Sequence, residues 1–203
     1  MGEYFISADL AQISDFTAIT IIESFLTDEK GAEYHLRRIE RPERGTPYPK
    51  IVDRLKEIAE SPQIKQQHKT VAIDITGVGR PVWDLLKQNF RGTWANLRGV
   101  LITGGNEVTE DGKIYRVPKR DLISALQVAF QNEQLKIARD LEGADTLVKE
   151  LTNFKVKINL NGHDQYEAWR EGVHDDIVLS AAMGVWLATR RYNSRNWLKS
   201  LIT

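Results

Sequence analysis

The chain has 203 residues, 41% hydrophobic and 28% charged, with 28 basic and 28 acidic side chains and no formal net charge. Such a length supports one compact core in an ordinary globular protein, and the balanced charge argues against coating of nucleic acid by bulk electrostatics. Zero cysteines exclude disulfides and thiolate metal centres, so any metal is held by oxygen or imidazole. No apolar run reaches the roughly 18 residues of a membrane span, no secretory leader is readable before the strand pattern begins at Tyr4, and Ile6 stands where a myristoylation signal needs Ser or Thr.

Residues 3–11, 16–27 and 33–40 read as strands, rich in β-branched and aromatic residues and partly alternating, with Asp28-Glu29-Lys30-Gly31 as the turn between the last two. A loop from Pro42 to Pro49 leads into helical spacing over 48–60, carried by Ile51, Leu55 and Ile58, and Pro62 ends it. The almost wholly apolar run Val71–Ile75 is what a strand covered on both faces looks like. Pro81 at N1 predicts a helix through Leu86. Gly99–Thr103 is another buried-looking strand, and Asp111-Gly112 suits a small hairpin turn. Pro118 opens a helix through Ala129. Residues 143–151 read as helix, 154–160 as strand-like, and a helix runs from Asp175 to about Tyr192, with a short one after Ser194.

No repeat, low-complexity tract or linker divides the chain, so a single domain over 1–203 is expected. Three antiparallel strands followed by crossovers into parallel strands give a mixed sheet of five or more strands with helices on both faces. That order resembles the ribonuclease H-like arrangement, in which the first strand lies centrally beside the fourth.

Four carboxylates break the rule that charge is costly at the edge of a core. Asp9 lies near the end of the first strand, after Phe5, Ile6 and Ala8. Alone it reads more readily as a turn aspartate bonding backbone N–H groups, as Asp15 in the following link does. Asp74 sits at the carboxyl end of Val71-Ala72-Ile73-Asp74-Ile75, where ligand sites of open α/β sheets gather. The Thr76-Gly77-Val78-Gly79 stretch after it lets backbone pass close to a ligand, although no full nucleotide fingerprint is present. Asp175 and Asp176 open a helix apolar nearly all round, whose Ser180, Ala181, Ala182, Gly184 and Ala188 permit close packing.

Capping and the helix dipole account for one aspartate at that helix start; two exceed the need. Such carboxylates, gathered without a cation, would raise one another's pKa. A shared site for Mg²⁺ or Mn²⁺ is therefore expected, since oxygen-only ligands favour hard ions. His174 either joins the site or orients an aspartate. The clusters Lys113, Arg116, Lys119, Arg120 and Arg190, Arg191, Arg195, Lys199 read as solvated surface or as contacts to a polyanion.

Three motifs in this order resemble the nuclease domain of the large terminase subunit of tailed bacteriophages. They are Asp9 with Asp15-Phe16-Thr17-Ala18, then Asp74 with Gly77 and Gly79, then Gly172, His174, Asp175 and Asp176. Tyr115–Leu122 also resembles the family's approach to the helix after its fifth strand. The resemblance covers essentially the whole chain, although the ATPase half of the intact family is absent from these residues. It implies a Mg²⁺- or Mn²⁺-dependent endonuclease cutting concatemeric viral DNA in the host cytoplasm during packaging, with an ATPase domain, portal protein and small terminase subunit as partners. It further implies two ions per site, with Asp9 bridging, Asp74 and Asp175 each holding one, and Asp176 a second choice. Arg80, Lys119 and Arg120 are the candidate contacts to DNA phosphates. The rival readings are a Holliday-junction resolvase of the same fold, a non-catalytic module that docks DNA or a portal, and an actin-like phosphotransferase, which the short length disfavours.

Overall fold

A computed structural model of the protein describes residues 2–11, 16–27, 31–160 and 175–200, the side chains of 153–160 and 195–200 excepted. In chain order the elements are β1 (Glu3–Asp9), β2 (Ala18–Thr27), β3 (Gly31–Glu40), α1 (Tyr48–Ala59), β4 (Lys69–Asp74), α2 (Gly79–Asn89) and β5 (Asn96–Thr103). There follow β6 (Thr109–Asp111), β7 (Ile114–Pro118), α3 (Lys119–Gln131), β8 (Leu135–Ile137), α4 (Ala144–Leu160) and α5 (Asp176–Ser200). Among the described residues the strands form one eight-stranded sheet in the order β6-β7-β5-β4-β1-β2-β3-β8.

The first three strands pair antiparallel, as their short connections allow, and β1 also pairs in parallel with β4, so the first strand is central. Every residue of β4 is buried, Lys69, Thr70 and Asp74 along with the apolar Val71-Ala72-Ile73 at its centre. Side chains alternate along each strand and divide the core in two. Ile6, Ala8, Val71 and Ile73 face α1 and α2, while Phe5, Ala72 and Val100 face α3, α4 and α5. Leu55 and Leu86 are fully buried in the first layer, and truncating either to Ala should cost about 2–5 kcal/mol.

α5 lies across β1 and β2 because its inward face is small. Ser180 Oγ donates to the Ser7 carbonyl at 2.8 Å and is 2.9 Å from Thr20 Oγ1. A Cβ on Gly184 would stand 2.8 Å from Ser7 Oγ and 3.0 Å from Ile22 Cγ1. The backbones thus approach to a distance that larger residues forbid.

The structure departs from the sequence-based elements in four places. Residues 154–160, expected as strand, continue α4, because nothing between Ala144 and Leu160 is a glycine or proline that would stop it. The short helix expected after Ser194 is the end of one uninterrupted α5. α2 begins two residues before Pro81, which remains in the first turn, where its missing N–H costs nothing. Finally β8, only three residues long, pairs in parallel with Tyr34–Leu36 at the sheet edge. The Asp111-Gly112 hairpin forms as expected, with Gly112 at φ 59° between β6 and β7.

Candidate active site

Asp9 and Asp74 end neighbouring parallel strands. The last pairs in register are Ser7 with Ala72 and Ala8 with Ile73, which puts the two aspartates next to each other at the carboxyl ends of the strands. Alternation from Phe5 and Ser7 on β1, and from Ala72 on β4, sends both carboxylates to the face that α5 covers. The first turn of α5 then carries Asp175 and Asp176 to the same place. Their proximity is felt at Asp9, whose carboxyl is pushed well above its ordinary range. Burial is the largest cause, followed by repulsion from Asp74, Asp176 and Asp175, with the Lys119 ammonium opposing.

Each of the other aspartates has a partner. Asp74, only 7% exposed, accepts the Thr76 N–H at Oδ1 (2.7 Å), an Asx-type turn that starts the Thr76–Gly79 loop. Gly77 and Gly79 pass through that loop at φ 81° and 71°, a region costly for other residues. Asp175 Oδ2 accepts Lys119 Nζ at 2.8 Å. Asp176 Oδ2 accepts Arg41 Nη2 at 3.0 Å. Arg41 also stands 3.7 Å from Glu150 Oε1 and packs 4.2 Å from the centre of the Phe16 ring, with Arg44 at 3.9 Å from the same centre.

Glu150 is 5% exposed and its Oε2 accepts the N–H groups of Ile177 (3.0 Å) and Val178 (3.1 Å). Burial pushes its carboxyl up to about 7, while the Val178 N–H, Arg41 and the Ile177 N–H pull it down and Asp176 pushes it up. Its Oε1 and the Nε of Arg41 have no hydrogen-bond partner among the described residues.

Neither Arg41 nor Glu150 is among the residues singled out from the sequence. Glu150 leaves a trace there: it follows Leu147 by three positions on the apolar stripe of α4, where an acid is out of place. Arg41, between Glu40 and Pro42, carries no such mark.

Of the residues expected to meet phosphates, Lys119 lies inside the acidic cluster. Arg120 donates to the Asn106 carbonyl at 3.1 Å, and Arg80 is exposed in the first turn of α2. His174, Gly172 and Asp15 lie outside the described residues.

Among the described residues, no group of three or more acidic or histidine side chains is placed to hold an ion as it stands. The partners just named explain the arrangement: Asp74, Asp175 and Asp176 are each drawn to a donor of their own. The donor chemistry nevertheless fits a hard divalent cation. Every candidate atom is a carboxylate oxygen, and the like charge accumulated around Asp9 is what a cation would relieve.

The Terminase RNaseH-like domain family model matches residues 6–184. No curated protein matches the sequence. Solved structures with the same fold include the large terminase nuclease from thermophilic phage G20c, at 21% identity and TM-score 0.57, covering 90% of this chain and 81% of that one. The Mn-soaked human cytomegalovirus terminase nuclease domain is 11% identical at TM-score 0.58, covering 92% and 83%. A mutant gp2c of the large terminase subunit from bacteriophage Sf6, with calcium, is 12% identical at TM-score 0.58, covering 91% and 88%.

Proposed function

The chain belongs to the Terminase RNaseH-like domain family, and from that premise we propose that it is a divalent-metal-dependent endonuclease that cuts concatemeric double-stranded viral DNA during genome packaging. The observation that carries this reading is the convergence of Asp74, Asp175 and Asp176 on the electrostatics of Asp9, at the strand ends where α/β folds place their sites. The manganese and calcium named for two solved structures of the same fold support the choice of a hard cation.

Asp9, Asp74 and Asp175 are the ligands in this reading, with Asp9 shared and Asp176 the second choice. Two Mg²⁺ or Mn²⁺ ions bound there would supply Lewis acidity and an acidified water. The protein's own part is to hold the carboxylates. The β1–β4 register sets Asp9 beside Asp74, the Thr76 N–H orients Asp74, and the start of α5 presents Asp175. Lys119 occupies the cluster with a positive charge, and Arg80 and Arg120 are assigned to phosphates of the DNA backbone. No element is assigned to base edges, so cutting is largely independent of sequence. One site cuts one strand, and a double-strand break takes two subunits or two successive cuts. The 203 residues act as one nuclease domain. The partners, in the host cytoplasm, are the ATPase domain, portal protein and small terminase subunit of the packaging motor.

Nicking of supercoiled plasmid in millimolar Mn²⁺ or Mg²⁺ tests the proposal. Wild-type protein should nick, and Asp74→Ala and Asp175→Ala should each lose at least a hundredfold. Undiminished cutting in excess chelator overturns it. Strong preference for four-way junctions over linear duplex would reassign the activity to junction resolution, and inert protein on every DNA form would leave a docking module.

A further inference from the structure

A helix start needs acceptors for its first N–H groups, and the residue at the capping position normally supplies one from its own side chain. In α5 that position is Asp175, whose carbonyl accepts the Leu179 N–H at 2.9 Å, the first bond of the helix. Its carboxylate, however, is turned to Lys119 at 2.8 Å. The N–H groups of Ile177 and Val178, which a capping aspartate would take, go instead to Glu150 Oε2 from α4.

We propose that Glu150 is a positioning residue: by capping α5 from the neighbouring helix it releases the Asp175 carboxylate from the capping role and keeps it for the acidic cluster. Asp176 also acts on Asp9, but its Oδ2 accepts Arg41, which stands beside Glu150 as well. The two adjacent aspartates therefore meet different cations, Asp176 with Arg41 and Asp175 with Lys119. Without Glu150, two buried N–H groups would be left unmet, each costing more than the bond it replaces. Rotation of Asp175 back to its local capping geometry meets that need, and the cluster then loses a carboxylate. The exchange of caps is a property of the fold; its consequence for cation binding rests on the nuclease reading.

The metal-free protein tests the exchange by melting. Serine caps and alanine does not. With Glu150 in place, Asp175→Ser and Asp175→Ala should melt together, since nothing is left for residue 175 to cap. In the Glu150→Ala background the serine variant should melt higher, by about 2–4 °C for a typical cap in a chain of this size. A serine advantage of equal size in both backgrounds overturns the proposal, as does none in the Glu150→Ala background. Should Glu150→Ala not fold, Glu150→Gln and Glu150→Met give the same comparison, because glutamine retains a capping oxygen and methionine does not.

The second readout is the rise in melting temperature on adding millimolar Mn²⁺. It should be retained by Glu150→Gln and lost by Glu150→Ala. A full wild-type rise in Glu150→Ala overturns the link to the cluster. Absence of any rise in the wild type overturns the metal reading alone, because the serine–alanine comparison needs no metal.

Discussion

Lys119 Nζ donates to Asp175 Oδ2 at 2.8 Å, joining the first residue of α3 to the residue that starts α5. Both side chains are mostly shielded, at 18% and 19% exposure. On the nuclease reading proposed above, the ammonium stands where Asp175, as a metal ligand, would need positive charge. Replacing it by Lys119→Met leaves the stem and removes the charge, and should destabilise the metal-free protein by about 1–3 kcal/mol. The deficit should shrink in millimolar Mn²⁺, as the cation takes over the neutralising role. Melting curves with and without Mn²⁺ check this, and an unchanged deficit would show that Lys119 acts only as a structural pair.

Asp74→Asn should separate stability from function. The amide keeps an oxygen for the Thr76 N–H, which Asp74 now accepts at 2.7 Å, and removes the like charge that acts most strongly on Asp9 after burial. Metal-free protein should melt higher than wild type, while the Mn²⁺-induced rise and plasmid nicking are both lost. A lower melting temperature with the Mn²⁺ response intact is the opposite result.

The same electrostatics set a pH dependence. Asp9 is raised well above its ordinary value of 3.8, and Glu150 is raised from 4.5 to about 7. Between the unfolded and folded values the native state binds more protons, so stability falls as pH rises. These two groups contribute stability fully present below their unfolded values and lost as pH climbs through the folded ones, for Glu150 between about 4.5 and 7. A cation that replaces those protons has the reverse dependence. Melting curves from pH 5 to 8 should fall without Mn²⁺ and diverge upward with it, and parallel curves would place the ion elsewhere.

Gly184→Val tests the contact on which α5 sits. The added Cβ alone would come within 2.8 Å of Ser7 Oγ and 3.0 Å of Ile22 Cγ1. Overpacking of this kind costs about 1–3 kcal/mol, more than the helix propensity recovered on leaving glycine, below about 1 kcal/mol. Each kcal/mol lowers the melting temperature of a chain this long by about 2–4 °C. Because α5 also carries Asp175, the Mn²⁺-induced rise should fall with it. Unaltered melting would mean that the helix can lift off β1 without loss.

Much of this was legible in the chain itself because it depends on neighbours in sequence. The apolar run Val71–Ile75 reports a strand covered on two faces. Asp9 and Asp74 stand out because each interrupts such a run at its end. The small residues of α5 announce a close approach, and the glycines at 77 and 79 a turn in which they take positive φ. Where a local pattern was ambiguous the outcome went otherwise: alternating Phe154, Val156, Ile158 and Leu160 look like strand, yet they extend α4.

Folding alone decided which groups meet which. That Lys119 sits on Asp175 rather than at the surface, and that Arg41 takes Asp176, depends on contacts spanning 56 and 135 positions. Glu150 is only an acid out of place on an apolar stripe until α4 is laid against the first turn of α5, where two backbone N–H groups need an acceptor. Residue types announce which charges are costly to bury. Only the packed arrangement determines which partners relieve them, because hydrogen bonds and ion pairs act over a few ångströms of space, whatever the separation along the chain.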